Sequence, residues 1–306
     1  MPIEIKSDID IETYLSKQKS LIDNHLKKIF NLKSYMHPKE LWDALRYSLL
    51  DGGKRIRGIL CLATNESLTN THIEDCLTTA CSIEIIHAMS LIHDDLPSMD
   101  NDNLRRGKLS CHKAFSESTA ILAGDAMLSI AFQLICEHTK EIKESQKLEI
   151  INYLSKAFSF GLVPGQILDL SASAQNYDLS FIENIAKLKT AELFKASVIC
   201  GSIISLKNNT NNNILKALNT YGLNIGIAFQ VVDDILDITG DTKTLGKTSG
   251  KDEKQKKVTF PLLVGVEKSK KIAKELSTQA KSALEKVEMK SQLLSSLADY
   301  IINRVN

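Results

Sequence analysis

Residues 80–95 read ACSIEIIHAMSLIHDD. Ala80, Ile83, His87, Ser90, Leu91 and Asp94 recur at intervals of three and four, the spacing that stacks side chains on one helical face. That face begins apolar and ends in acid. Working outward, the same period runs through residues of roughly 182–205 and 214–239, long stretches with almost no charge, as expected of buried bundle helices. From 266 onward Leu284, Val287, Leu293, Leu294, Leu297 and Ile301 predict amphipathic helices. The polar runs at 138–147, 207–213 and 240–257 read as connections, and no repeat of 20 to 50 residues is present.

Composition agrees. The 306 residues include 14 Gly and 5 Pro, about half of the roughly 37 that average usage gives. Sheet-rich domains need many tight turns, so the scarcity favours long helices and disfavours a β-sandwich, propeller or collagen-like chain. The expectation is one all-α domain over 1–306, since no linker divides the chain. With 38 Lys plus Arg against 37 Asp plus Glu, the net charge of +1 offers no global field for nucleic acid or an anionic membrane. No stretch reads as a signal peptide or membrane span. Six cysteines without a CxxC pair fit buried thiols in a reducing compartment, hence a cytoplasmic location.

Two acidic clusters end apolar helices. In FQVVDDILD (229–237), Gln230, Asp233 and Asp237 fall within roughly 60° of one another on a helix, and Asp234 points elsewhere. Carboxylates stacked at the negative end of a helix call for a cation, and few oxygen ligands with room for water and phosphate favour Mg²⁺. In HDDLPSMDND, Asp94 and Asp100 are six apart, about 120° out of alignment on a regular helix. Pro97 removes a backbone donor and predicts a local bulge that swings Asp100 back toward Asp94.

Basic elements complement them. Gly52-Gly53 lets the backbone approach a ligand, and Lys54 and Arg57 face one way as a diphosphate clamp. Arg105-Arg106 suits planar, bidentate phosphate contacts. Lys247 and Lys257 flank a basic loop, and Lys189-Thr190 interrupt an otherwise apolar helix, where lysine is seldom buried without a partner. Together they describe a cavity that takes polyanions through metal ions.

GGKRIRG (52–58), EIIHAMSLIHDDLPSMDNDNLRRGK (84–108), LVPGQILDL (162–170), KT (189–190), FQVVDDILD (229–237) and LGKTSGKDEKQKKVTFPLLVG (245–265) resemble the motif series of short-chain trans-polyprenyl diphosphate synthases. That family includes the farnesyl (geranyltranstransferase) and geranylgeranyl diphosphate synthases. The resemblance covers about residues 40–305. It implies an all-α bundle of antiparallel helices around a deep central cavity, a homodimer, and three Mg²⁺ ions, two on Asp94 and Asp100 and the third on Asp233. Asp95, Asp234 and Asp237 would support these through neighbouring contacts or water. Arg105, Lys189, Thr190, Gln230, Lys247 and Lys257 match positions near the allylic diphosphate, and Lys54, Arg57, His87 and Arg106 those binding isopentenyl diphosphate. Phe229 is read equally as a cation-stabilising or a core residue. The implied reaction is condensation of isopentenyl diphosphate with dimethylallyl or geranyl diphosphate.

Several positions depart from the usual pattern: Leu109-Ser110 replaces Pro-Thr, Pro164 stands where Gly is frequent, and Glu192 follows Lys189-Thr190, where it would weaken phosphate binding unless it faces another helix. Product length in this family is set by bulk before the first acidic cluster, here Ala88 and Met89. Met is slimmer and more flexible than the Tyr usual in bacterial farnesyl synthases. A farnesyl product is the first expectation and a C20 product the alternative. A class I terpene cyclase is disfavoured by FQVVDDILD and GGKRIRG, a metal phosphohydrolase by the lack of spaced His ligands, and a non-catalytic subunit by the presence of both acidic clusters. The segment 240–257 and the C-terminal tail are expected to act as a lid.

Overall fold

A computed structural model describes residues 10–31, 37–50, 52–172, 178–206, 212–239 and 258–305. Helices α1 (Ile11–Asn31), α2 (Lys39–Leu50), α3 (Ile56–Leu68) and α4 (Ile73–Asp94) come first. A two-stranded ribbon follows, β1 (Leu104–Arg105) paired antiparallel with β2 (Lys108–Leu109). Then come α5 (Cys111–Ala114), α6 (Glu117–His138), α7 (Glu144–Lys156), a π-helical turn Ala157–Leu162, α8 (Val163–Ser171) and α9 (Leu179–Ile185). A second π-helical turn, Ala186–Ala191, leads into α10 (Glu192–Ser205), and α11 (Asn212–Thr239), α12 (Phe260–Val264), α13 (Val266–Leu284) and α14 (Gln292–Ile302) complete the order. The expected all-α fold is present. The predicted helix over 182–205 is two α-helices joined by the second π-turn. The 138–147 connection already turns helical at Glu144.

Helix α4 occupies the middle, packing against α6, α3, α1, α2 and α10. Ala80 and Ile83 are fully buried, whereas His87, Ser90, Leu91 and Asp94, farther along the same face, are partly open. The apolar start of that face joins the core, and its polar end borders the site. Polar groups fix the ends of elements. The Asp75 carboxylate, 1% exposed, accepts the backbone N–H groups of Lys140, Glu141 and Ile142 at 2.7–2.8 Å and so closes the turn into α7. Asp178 caps α9 by accepting from the Phe181 N–H, and Ser116 caps α6 by accepting from that of Thr119. A second, smaller cluster of Ile182, Ala186, Val231, Val232, Ile235, Phe260 and Ala273 binds α9 and the second π-turn to α11, α12 and α13.

By length and composition α4 and α6 are apolar enough to cross a membrane, which the sequence alone did not suggest. The apolar window of α4 is 78% buried inside the bundle, where its side chains form the core. That of α6 is 44% buried, and Ile121 and Leu122 stand exposed on it, as Phe160, Val163 and Ile167 do near the first π-turn. Five cysteines are buried as expected; Cys136 is exposed.

Helices α3 and α10 cross closely at Gly201, where an added Cβ would stand 2.2 Å from the Cys61 carbonyl oxygen. Backbone on both sides leaves little to yield. Gly201→Ala is therefore expected to lose about 1–3 kcal/mol through overpacking, measured by denaturant unfolding with the slope unchanged.

Candidate active site

The clamp is built on a loop pinned from behind. Gly52 and Gly53 take φ of 112° and 101°, and Arg55 takes 55°, a left-handed conformation uncommon for a side-chain-bearing residue. Arg55 is held there by its partners. Its side chain, 1% exposed, donates Nε to Asp23 Oδ1 at 2.8 Å and Nη2 to the Leu49 carbonyl, with Glu84 at 3.7 Å. Glu84 in turn accepts the Gly58 N–H at 2.8 Å. With Arg55 anchored inward to α1, α2 and α4, Lys54 and Arg57 are left for the opposite side.

Arg57 lies 4.7 Å above the centre of the Phe194 ring and 5.8 Å from that of Phe229, and its Nη1 is 3.3 Å from His87 Nε2. Burial pushes its pKa down to about 10, which leaves it charged at neutral pH. Its Nε is buried without a hydrogen-bond partner, a donor available to an anion. Burial, reinforced by Arg57 and Arg106, holds His87 well below the usual imidazole range, so the ring is neutral. Lys54 is likewise lowered by burial and by Arg304. Arg106 sits at the tip of the β1–β2 ribbon, where Arg106 and Gly107 have φ of 55° and 78°, as a tight hairpin turn requires. Its Nη1 donates to the Gly52 carbonyl at 2.8 Å, and a Cβ at Gly53 would strike its guanidinium. The glycine pair thus admits Arg106 to the clamp.

The first acidic cluster is a turn, which corrects the helical bulge expected from Pro97. Helix α4 ends at Asp94, and the Asp100 N–H bonds the Asp94 carbonyl at 2.8 Å while Asn101, at φ 50°, bonds Leu96. Pro97 lies in the returning turn, and Asp100 comes back to Asp94 as anticipated. Burial, then the charge of Asp100, pushes Asp94 up to about 6 although Lys189 and Arg105 pull the other way. A buried carboxyl that resists ionisation beside a second carboxylate suits a divalent cation bound by oxygen. Asp95 is 2% exposed and turns away, gripping Arg105 through Nε at 3.0 and 3.1 Å and through Nη2. Asp102 takes Arg105 Nη2 at 3.3 Å. Burial alone would lower Arg105, but Asp95 more than offsets it.

The second cluster divides differently from its helical-wheel reading. Gln230 does not side with Asp233 and Asp237. Its Nε2 donates to Asp234 Oδ1 at 2.8 Å, and its Oε1 accepts from Thr190 Oγ1 at 2.7 Å. Asp234 also accepts the Phe260 N–H at 3.2 Å. This chain ties the second π-turn to α11 and α12. In that turn the Glu192 N–H reaches back five residues to the Lys187 carbonyl, so the neighbouring Leu188 carbonyl loses its regular helical donor. Lys189 pairs with Asp169 of α8 at 2.5 Å, a residue the sequence reading quoted in GQILDL without assigning. Asp233 is met by Arg304, also unassigned, whose Nη2 lies 2.9 Å from Asp233 Oδ1 and whose guanidinium lies 4.8 Å above Phe229.

Contacts therefore connect Lys54, Arg57, His87, Arg106, Phe229 and Asp233 on one side with Asp94, Asp100, Arg105 and Lys189 on the other. Glu192 faces Gly161 and pairs with Lys195, which removes the conflict with Lys189. Ala88 and Met89 are each 2% exposed on α4. Asp237 is partly open at the end of α11. Lys247 and Lys257 fall outside the described residues, as does the 240–257 segment expected to act as part of a lid.

Two acidic clusters, set among arginines with an unmet donor, define a site for polyanions and divalent cations. The sequence of residues 38–297 matches the polyprenyl synthetase family, and the chain belongs to that family, whose members are short-chain prenyltransferases. It is 42% identical over 303 residues to a dimethylallyltranstransferase of Fischerella ambigua (strain UTEX 1903), covering 98% of this chain and 86% of the relative. It is 43% identical over 278 residues to a farnesyl diphosphate synthase of Micrococcus luteus, covering 90% and 93%. With a geranylgeranyl diphosphate synthase of Cyanophora paradoxa it shares 41% identity over 305 residues, covering 99% of both. The fold superposes on the crystal structure of a geranyltransferase from Helicobacter pylori complexed with magnesium and isoprenyl diphosphate, with a TM-score of 0.82, 31% identity, and 96% and 97% coverage.

Two tests follow. Arg55→Met strands Glu84 and Asp23 and is expected to lose about 3 kcal/mol or more, the cost of breaking a buried pair; a thermal melt within a degree of wild type would refute the anchoring role. Asp94 has a folded pKa above its ordinary value of 3.8, so ionising it disfavours the native state. Without divalent cations, Asp94→Asn should gain stability over wild type as pH rises from about 4 through about 6. Below 4 the two should coincide, as read by melting in chelator.

Proposed function

We propose that this protein condenses isopentenyl diphosphate with dimethylallyl and geranyl diphosphate to form farnesyl diphosphate, releasing inorganic diphosphate. The observation that carries this reading is the division of labour at the site. Asp94, Asp100 and Lys189 suit an allylic diphosphate reached through metal, whereas Lys54, Arg57 and Arg106 suit a second diphosphate bound directly. Mg²⁺ held by Asp94, Asp100 and Asp233, three ions in all, supplies neutralisation of the leaving diphosphate.

Lys189 and Arg105 add fixed positive charge where the leaving group gains negative charge, and neither reorganises during the step. Asp169 orients Lys189, and Asp95 and Asp102 orient Arg105. As the allylic C–O bond breaks, the Thr190 carbonyl or hydroxyl oxygen and the Phe229 face offer electron density to the cation. Lys54, Arg57, Arg106 and neutral His87 hold the second diphosphate so that C4 of isopentenyl diphosphate meets the cation. A proton then leaves to the departing diphosphate, and the new C–C bond is retained. Lys247 and Lys257 belong to the allylic side by motif position.

We further propose a homodimer, in which the exposed Ile121 and Leu122 of α6 and Phe160, Val163 and Ile167 are covered by a second copy. A cytoplasmic location accords with the paired Cys61 and Cys76 thiols, 3.9 Å apart.

A C20 product is the second reading. Met89 lies on α4 five residues before Asp94, where a flexible side chain yields more readily than an aromatic ring, and relatives of similar identity include a geranylgeranyl diphosphate synthase. Incubation with labelled isopentenyl diphosphate and geranyl diphosphate, followed by dephosphorylation and sizing, decides between them. A dominant C15 alcohol is expected. A dominant C20 alcohol that Met89→Tyr shortens would establish the second reading. Asp94→Ala and Asp233→Ala should each reduce turnover by 10²-fold or more, and condensation surviving both would refute the metal mechanism.

A further inference from the structure

Arg304 stands in the turn Asn303–Val305 after α14, among no motif that the reaction requires. Its side chain, 13% exposed, turns into the site and lies along α11 across Phe229 and Asp233, which are one helical turn apart. The aromatic face supports the guanidinium at 4.8 Å, and Asp233 accepts one hydrogen bond from Nη2 at 2.9 Å. The remaining donors Nε and Nη1 are buried without partners, so only a fraction of the guanidinium fork is satisfied. Asp233 itself remains 39% exposed. This is an ion pair held in place by stacking but weakly saturated by hydrogen bonds, and its open carboxylate is accessible to a competing cation.

Asp233 is also the carboxylate through which the reading above, on which this inference rests, brings a divalent cation to α11. Arg304 takes Oδ1 and sets its positive charge against the carboxylate, so a divalent ion arriving at Asp233 meets a repelling charge and a shared ligand. Lys54 and Arg57 are the other cations whose charge reaches Asp233. They sit at and just before the start of α3 and make no hydrogen bond to it, so among the described residues Arg304 alone is positioned as a direct rival.

We propose that Arg304 is a positioning residue for Asp233: it holds the carboxylate as a tethered cation, and a divalent ion binds there in competition with it, most tightly once Arg304 has moved off Oδ1. Displacement also turns the Asn303–Val305 segment away from Phe229, so metal occupancy on α11 is coupled to the segment that follows α14.

The experiment titrates the full-length protein with Mn²⁺ in the absence of any diphosphate, reading free Mn²⁺ by electron paramagnetic resonance. Arg304→Gln should strengthen the weaker class of sites by about five- to tenfold, and Arg304→Lys, which keeps the charge but loses the planar stack, by less. In an Asp233→Asn background the Arg304→Gln gain should vanish. Circular dichroism melts check that each variant is folded. A folded Arg304→Gln protein with unchanged or weakened Mn²⁺ binding overturns the proposal, as does a gain that persists in Asp233→Asn. If Asp94→Asn weakens Mn²⁺ binding and Arg304→Gln does not strengthen it, the displacement fails while the metal-dependent reading stands. If Asp94→Asn and Asp233→Asn both leave Mn²⁺ binding untouched, the metal reading fails and this proposal with it.

Discussion

Like charges gathered in a partly desolvated space repel, and the bundle must hold them in place before any ligand neutralises them. At the first cluster, Asp94 and Asp100 are brought together by a backbone hydrogen bond, so side-chain repulsion is opposed by main-chain geometry that cannot relax. At the clamp, Arg57 is held between Phe194, Phe229 and neutral His87. Those partners favour a cation and take up little of its hydrogen-bonding capacity. The core serves the same end: α4 is apolar along most of its length because its last turn has to be rigid where the acid begins.

A second tier of charges absorbs the cost. Arg55 with Asp23 and Glu84, Arg105 with Asp95, Lys189 with Asp169, and Gln230 with Thr190 each pair a site element with a buried or half-buried partner on another element. Every one crosses between elements, so the site's geometry is set by how α1, α4, α8 and α11 pack. Catalysis by fixed dipoles depends on such preorganisation, because a group that must reorient during bond breaking loses much of its electrostatic advantage.

Much of this was legible in the sequence, for identifiable reasons. The face from Ala80 to Asp94 could be read because 3.6-residue periodicity records a helix buried on one side. The pairing of Asp94 with Asp100 could be inferred because a proline midway between them forces the chain to depart from a helix. The form of that departure, a turn closed by main-chain bonds, was not written in any side chain. Neither π-turn could be foreseen, since an extra residue in a helical turn leaves the composition of AKLKTA unremarkable and is stabilised only by what it packs against. Grouping Gln230 with Asp233 picks the wrong carboxylate: at about 100° per residue Asp234, four residues on, lies about 40° from it, nearer than Asp233 at about 60°, so the observed pair is the one that i, i+4 spacing favours. Arg304 carried no sequence signal at all, being a lone arginine in a polar turn.

Arg55 and Arg57 show how far residue type underdetermines role. They are two apart, Arg55 just before α3 and Arg57 in its first turn, both arginine and both largely removed from water, yet Arg55 meets two carboxylates and a carbonyl whereas Arg57 meets two rings and an imidazole. The difference originates in backbone conformation. A left-handed residue at Arg55 reverses the direction of its side chain relative to the helix that starts at Ile56, and the preceding glycines make that reversal accessible. Two carboxylates and a main-chain carbonyl make Arg55 an anchor, even though its Nη1 lacks a hydrogen bond among the described residues. Arg57 meets no carboxylate there and is left to bind a ligand, and Arg304, held by one carboxylate and one ring, stands between the two.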